Sequence, residues 1–411
     1  MHPQDTARRI VIVGSGLAGA TAAGALRVQG FAGEVVVLGR ERHRPYELPA
    51  LSKQVLLGDT DEPDWVHEED FYTAQDIELR LGTSAERIRF GDRVVLDDQG
   101  GSYPYDRLLL ATGSAPRTLP VPGGDSPNLW LLRTLDNSLA LRSALAKAGS
   151  VVIVGGGWIG CEVAAAARRH GAEVTVVETM SLPLLATLGR TIAGVFHDLH
   201  AEHGVHWRLD TQVAEFGVDG SSVRLADGTE LSADLVVVAV GAAPTVDLAY
   251  LAGLELSDED TRGGVAVDAG LRTSSPDVFA VGDVAAHFHP RYGRRIRVEH
   301  WANAKDQGSH VAGNLLGAAV PYEASPYFFT DQYDVGMEYR GLAEPDDELV
   351  IRGDLAAREF IAFWLRDGRV QAAMNMNMWD DGTALQAMVD RQVPVDPTRL
   401  QRDDLSKLVT P

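Results

Sequence analysis

Cysteine is almost absent from this chain: Cys161 is the only one among 411 residues. No internal disulfide can form, and the dithiol centre that some reductases use as a second redox station is excluded as well. Any redox chemistry must therefore pass through a bound cofactor. Long apolar runs are also missing. No stretch reaches the roughly 18 consecutive apolar residues of a membrane-spanning helix, and the opening MHPQDTARR lacks the apolar core of a signal peptide. The expectation is a cytoplasmic protein without a membrane partner. Positive charge is scarce, with 37 Lys plus Arg against 58 Asp plus Glu and a net charge of -21. Such a field repels nucleic acid and anionic lipid, so neither is expected as a ligand. No metal site is read from the sequence. What remains, 45% hydrophobic and 23% charged residues, suffices for two or three compact domains.

Glycine is where the information lies. Ile10-Val11-Ile12-Val13 is a short β-branched run without alternation, as expected of a strand buried on both faces of a parallel sheet. Gly14-Ser15-Gly16-Leu17-Ala18-Gly19 follows, then an Ala- and Leu-rich helix to Gln29 closed by Gly30, then a strand Glu34 to Leu38. In such a turn the first glycine bends the chain, the second lets backbone approach a pyrophosphate, and the third lets helix and strand pack closely. The helix N-terminus then offers unpaired N–H groups to phosphate. The same grammar recurs at Val151 to Val154, Gly155-Gly156-Gly157-Trp158-Ile159-Gly160, a helix to His170, Gly171, and a strand Glu173 to Val177. One such string is weak; two in full strand, turn, helix and strand context predict two dinucleotide-binding units.

The copies differ where the second strand ends, the position at which a carboxylate takes the adenosine ribose hydroxyls. Glu178 stands there in the second copy and favours NADH, because the 2'-phosphate of NADPH would meet its charge. A solvated strand-end carboxylate is the plain alternative. In the first copy the corresponding residue is Gly39, followed by Arg40 and Glu41, so this site is built for something other than ordinary NAD.

With GSGLAG at 14-19, Arg44-Pro45-Tyr46 with Leu51-Ser52-Lys53, Leu110-Ala111-Thr112-Gly113, GGGWIG at 155-160 and Ala280-Val281-Gly282-Asp283-Val284, the chain resembles, nearly end to end, the FAD-dependent NADH:ferredoxin reductases of oxygenase systems. The resemblance implies an α/β fold with two Rossmann-like, glutathione-reductase-like domains and a C-terminal α+β domain. It implies FAD at Gly14, Gly16, Leu17, Ala18, Gly19, Glu41, Arg44, Lys53, Ala111, Thr112, Gly113, Arg117, Gly282, Asp283 and Trp301. It implies NADH at Gly155, Gly157, Trp158, Ile159, Gly160, Glu162, Glu178 and Gly241. Asp283 would hold a ribityl hydroxyl, or merely cap a helix. Lys53 would lie beside the isoalloxazine ring, pair with Glu162, and stabilise the reduced flavin; these two are the expected catalytic residues. A first-turn carboxylate serving the helix dipole is the bland reading of Glu162. Arg44 would neutralise phosphate charge, and Trp301 would lie at the flavin or simply in the core. Trp158 is bulky for its turn and either stacks on the coenzyme or restricts it. Cys161 reads as a small buried hydrophobe. Leu48, Ala50 and Leu182 depart from residues common in the family.

The expected division is an FAD domain of residues 1-114 and 245-322, an NAD domain of 115-244 inserted in it, and a C-terminal domain of 323-411. In the last, Glu359 to Leu365 and Val370 to Met374 read as a hairpin, and Gly382 to Gln392 as a helix. The implied reaction takes a hydride from NADH to FAD and passes electrons singly to an iron-sulfur ferredoxin or rubredoxin. Arg291, Arg294, Arg295 and Arg297 offer a basic docking patch or a solvated loop. A monomer or homodimer fits equally. The alternatives are an apoptosis-inducing-factor-like flavoprotein acting through association, or an NADH oxidase, the latter disfavoured because no cysteine lies near residues 44-53. The segment Asn375-Met376-Asn377-Met378-Trp379 has no reading.

Overall fold

The computed structural model describes residues 7–258 and 263–409. The chain divides into two compact units: Met1–Leu48, Asp64–Ala115 and Ala242–Ala324 make the first, and Pro49–Pro63, Pro116–Gly241 and Ser325–Pro411 make the second.

In the first unit, Arg9–Val13 is the middle strand of a five-stranded parallel sheet, flanked by Glu34–Gly39 and Arg107–Leu110, with Ile77–Leu81 and Val278–Ala280 at the edges. Its centre is apolar on both faces: Ile10, Val11 and Ile12 are fully buried. The helix Leu17–Val28 packs into the same core as the sheet through Ala18, Ala22, Ala23 and Leu26, and Gly30 at φ 81° ends it as the sequence implied. The second unit repeats the pattern. Ser150–Val154 lies between Glu173–Val177 and Leu235–Val238 in a four-stranded parallel sheet completed by Val205–Arg208. The register is the same in both copies, Arg9 facing Glu34 in one and Ser150 facing Glu173 in the other. The chain leaves the first unit and returns to it through the short strands Ser114–Pro116 and Ala242–Pro244, which pair with each other.

The C-terminal part of the second unit is a five-stranded antiparallel sheet in the order Tyr327–Gln332, Val335–Gly341, Arg369–Met376, Glu359–Arg366, Glu348–Asp354. The expected hairpin and the helix Gly382–Arg391 are both present. The unread segment ends this sheet: Asn375 is fully buried and accepts from Arg340 at 2.6 Å, while Asn377, at φ 51°, closes the strand by accepting from Gly336 N–H at 3.0 Å.

Residues 49–63 depart from the expected grouping, which had placed them in the N-terminal part. Leu56 is buried in one cluster with Leu141, Leu145 and Val163. Ser138 donates to Leu51 O at 2.6 Å, Arg142 to Thr60 O at 2.9 Å, and Arg169 pairs with Asp59 at 2.6 Å. Nothing in local sequence announces such a tertiary attachment. Its consequence is that Lys53 belongs to the same unit as Glu162, not to the opposite one.

Candidate functional site

The two glycine turns have the same physical construction. A Cβ at Gly14, which sits at φ 113°, would lie 2.1 Å from the Ala111 carbonyl oxygen, and one at Gly19 would lie 2.0 Å from Gly14 O. At Gly16 a Cβ would meet nothing within 4 Å. In the second unit a Cβ at Gly155 (φ 108°) would lie 2.4 Å from Ala239 O, one at Gly160 would lie 2.0 Å from Gly155 O, and Gly157 is again open. The outer glycines are thus demanded by close packing within each unit, and the middle one leaves backbone exposed to an incoming group. Gly16 and Gly157 are the N-caps of the 12-residue helices Leu17–Val28 and Trp158–Arg169, and neither helix has a side-chain cap. Uncapped N–H groups at the positive end of a helix fit a pyrophosphate. Both turns pass this test.

Behind the turn the two units fill the same space from opposite sides. A Cβ at Gly39 would lie 2.1 Å from Ser15 Oγ, so the serine occupies that volume in the first unit. In the second unit Gly156 stands in place of Ser15 and vacates it, and Glu178 fills it, accepting from Gly156 N–H at 2.6 Å and from Met180 N–H at 2.8 Å. The carboxylate is held over the turn, where a ribose diol would meet it, not turned out to solvent. Gly241, at φ 99°, receives the Arg117 N–H at 2.9 Å on its carbonyl, so these two candidates fix backbone there.

The remaining flavin candidates of the first unit are anchored. Ala111 supplies the carbonyl against Gly14; Thr112 Oγ1 donates to Thr245 O at 2.8 Å, and Gly113 bends at φ 67°. Glu41 accepts from Tyr46 Oη at 2.6 Å, and the Arg44 guanidinium lies 4.1 Å over Trp65. Gly282, at φ 73°, donates to Gln307 at 2.9 Å. Asp283 lies inside the single turn Gly282–Val284 and accepts from Ser114 Oγ at 2.7 Å; that turn has no side-chain cap, so the capping alternative falls away. Trp301 opens the helix Trp301–Leu315, donates to Glu47 at 2.8 Å, and carries Lys305 over its ring at 4.6 Å.

In the second unit the expected pair forms. Lys53 Nζ lies 2.8 Å from Glu162 Oε1, with the two side chains 10% and 5% exposed. Taking two charges out of water is offset only when their other lone pairs and protons are also satisfied. Here two hydroxyls do it: Thr330 Oγ1 donates to Oε1 at 2.6 Å, and Ser52 Oγ donates to Oε2. Lys53 also stands 5.5 Å over the Phe329 ring. Glu162 is the fifth residue of its helix, which has no acid in the first turn. The helix-dipole reading was therefore misplaced by one turn, and the carboxylate serves Lys53. The sequence assigns no role to Ser52, though it lies in the Leu51-Ser52-Lys53 motif, or to Thr330, because a hydroxyl's distant partner leaves no local signal.

Three other candidates resolve. Trp158 packs edge-on against Phe196 and Phe328, with ring centres 5.7 and 4.9 Å away, so much of its bulk is spent inside its own unit, while its neighbour Ile159 is 41% exposed. Cys161 is fully buried, and burial pushes its thiol far above the usual range, which makes it a packing residue. The basic patch requires correction. The Arg297 side chain is 1% exposed and neutralised by Glu299, and Arg295 donates to the carbonyls of Val267 and Ala286. Arg291 is half-buried over Tyr292, leaving Arg294 as the exposed member. Closeness in sequence suggested a shared patch or a solvated loop, but Arg295 and Arg297 are turned inward.

Comparison with known proteins places this geometry. Residues 8–308 match the family model described as pyridine nucleotide-disulphide oxidoreductase, and residues 327–409 match that of the reductase C-terminal domain. The ferredoxin–NAD(+) reductase component of the anthranilate 1,2-dioxygenase system of Burkholderia cepacia is 39% identical, over 95% of this chain and 96% of its own. Putidaredoxin reductase of Pseudomonas putida is 36% identical over 95% and 94%. Among solved structures, a ferredoxin reductase from Rhodopseudomonas palustris superposes with a TM-score of 0.93 at 35% identity, covering 98% of this chain and 100% of that one. The covalent putidaredoxin reductase–putidaredoxin complex gives 0.92 at 35% identity, with 98% of both covered. With family models matched over residues 8–308 and 327–409 and a relative 39% identical over 95% of the chain, the chain belongs to the pyridine nucleotide-disulphide oxidoreductase family, in its branch of ferredoxin reductases.

Proposed function

We propose that this protein carries electrons from NADH through FAD to the iron-sulfur ferredoxin of an oxygenase system. The observation that carries the reading is the pair of like-built turns with opposite fillings: Ser15 against Gly39 in one, Gly156 against Glu178 in the other. Such a difference fits two dinucleotides of different kind, and Glu178 supports the second as the NADH site. FAD, when bound, accepts an electron pair from NADH and releases electrons one at a time, which a single iron-sulfur cluster needs.

The chain's residues do the rest. Gly14, Gly16 and Gly19, with Leu17 and Ala18, present the helix N-terminus to the FAD pyrophosphate; Glu41 and Asp283, each held by a hydroxyl partner, serve sugar hydroxyls. Gly155, Gly157 and Gly160 do the same for NADH. Lys53, held by Glu162, is assigned as the cation that serves the reduced ring. The functional division keeps the inserted order of residues 1-114 and 245-322, 115-244, and 323-411, with residues 49–63 attached to the second compact unit. With most of the arginine cluster spent internally, docking through it rests on Arg294.

The test is NADH-driven reduction of cytochrome c with and without the [2Fe–2S] ferredoxin of an oxygenase system. Ferredoxin-dependent turnover at least tenfold above the ferredoxin-free rate is expected. Turnover indifferent to ferredoxin, together with a change in association state on adding NADH, would instead support the apoptosis-inducing-factor-like reading.

A further inference from the structure

A string of polar side chains threads an otherwise apolar part of the second unit and ends on Glu162. Thr330 and Gln332 alternate with Phe328 on the buried face of strand Tyr327–Gln332, and each is 1% exposed. His200, fully buried, lies on the same helix as Phe196, one turn further on. Gln332 Nε2 lies 3.2 Å from Thr330 Oγ1, His200 Nε2 lies 2.8 Å from Gln332 Oε1, and Tyr333 Oη lies 3.4 Å from His200 Nδ1. Phe328 of that strand and Phe196 of that helix belong to one apolar cluster with Leu188, Ile192 and Met337. Burying a hydroxyl, an amide and an imidazole among them costs stability that aliphatic residues of like volume would not. The string therefore has a use beyond packing.

Its polarity is dictated from one end. Glu162, paired with Lys53, only accepts, so Thr330 must donate to it. Thr330 Oγ1 then takes the Gln332 amide N–H, which turns Gln332 Oε1 towards His200. That oxygen can only accept, so His200 carries its proton on Nε2 and takes the Tyr333 hydroxyl on Nδ1. Burial lowers the His200 pKa to about 4, keeping the ring neutral. Every rotor has one orientation, and each points its donor towards Glu162.

We infer that Thr330, Gln332 and His200 are positioning residues for the reaction, a one-way hydrogen-bonded string that fixes the Glu162 carboxylate and, through it, Lys53. This rests on the assignment of Lys53 and Glu162 made above. The experiment uses FAD-loaded enzyme and the variants Thr330→Val, which keeps shape and loses the hydroxyl, and Thr330→Ser, which keeps the hydroxyl and loses a methyl. Flavin reduction by NADH should slow on the order of tenfold in Thr330→Val and stay within about twofold in Thr330→Ser, a hydrogen bond to a charged group being at stake. In a Glu162→Gln background the valine change should cost less than about twofold, because its effect travels through the carboxylate. In 15N-histidine-labelled enzyme, His200 should appear as one neutral tautomer with its proton on Nε2, and Glu162→Gln should release a mixture. Equal losses in the valine and serine variants, an undiminished valine effect without Glu162, or a His200 tautomer indifferent to Glu162→Gln would each overturn the inference. If NADH fails to reduce the wild-type flavin, the functional reading falls, and the tautomer measurement alone decides whether the string is directed by Glu162.

Discussion

At the scale of single residues, coenzyme choice and flavin chemistry rest on two carboxylates held in different ways. Glu178 is fixed by two backbone N–H groups over a turn whose second residue is glycine. Removing it by Glu178→Ala should lower kcat/KM for NADH roughly 10- to 100-fold and erase the preference over NADPH, by loss of charged hydrogen bonds to the ribose. Gly156→Ser should act in the same direction with the carboxylate still present, since a Cβ there would stand 3.1 Å from Glu178 Oε2 and push it off the turn. Steady-state kinetics with both coenzymes check the pair; an unchanged preference in Glu178→Ala would contradict the assignment. Glu162 is held by side chains instead. Lys53→Met should leave it without its cation, slow flavin reduction roughly 10²-fold, and lower stability by about 3–5 kcal/mol. Stopped-flow reduction and urea unfolding read the two effects separately.

At the scale of elements, the parts legible in the sequence were those whose physics is local. A β-branched run, a glycine turn, an alanine-rich helix and a closing glycine lie together between Ile10 and Gly30 and again between Val151 and Gly171, and both copies formed with the strands and caps that their spacing implied. The third glycine of each turn is open to direct test. Gly19→Ala places a methyl 2.0 Å from Gly14 O, so the helix must move; the variant should lose about 1–3 kcal/mol and retain less FAD per chain, measured by thermal unfolding and flavin content. Illegible were features decided by long-range packing. Ser52 and Thr330 reach Glu162 from sequence positions 110 and 168 residues away. Residues 49–63 join the second unit through Leu56 and Arg142, and Arg297 is drawn inside by Glu299. Charge reversal at Arg294 should slow only the ferredoxin-dependent step. Equal loss in ferricyanide reduction would remove this face from docking.

At the scale of the whole molecule, neutral imidazoles tie stability to pH. Burial lowers the pKa of His200 to about 4 and that of His287 to about 3, and lowers those of His67 and His289 as well. In the unfolded chain these groups bind protons near pH 6.5. Their contribution to stability is therefore complete above that pH and is lost as pH falls towards the folded values, about 1.4 kcal/mol per pH unit for His200 and for His287. Urea unfolding at pH 7.5 and pH 5 should show a clear drop in midpoint, and a flat response would contradict the burial. Among the described residues no helix is long and apolar enough to cross a membrane. With one inert thiol and two built dinucleotide turns, the molecule is organised to move electrons between bound cofactors. The most direct measurement is anaerobic stopped-flow mixing of the FAD-loaded protein with NADH or NADPH, followed by an oxidised [2Fe–2S] ferredoxin. NADH is expected to bleach the flavin at least tenfold more efficiently than NADPH, and the reduced flavin then to convert two equivalents of ferredoxin. A preference for NADPH, or a reduced flavin that persists in the presence of ferredoxin, would contradict it.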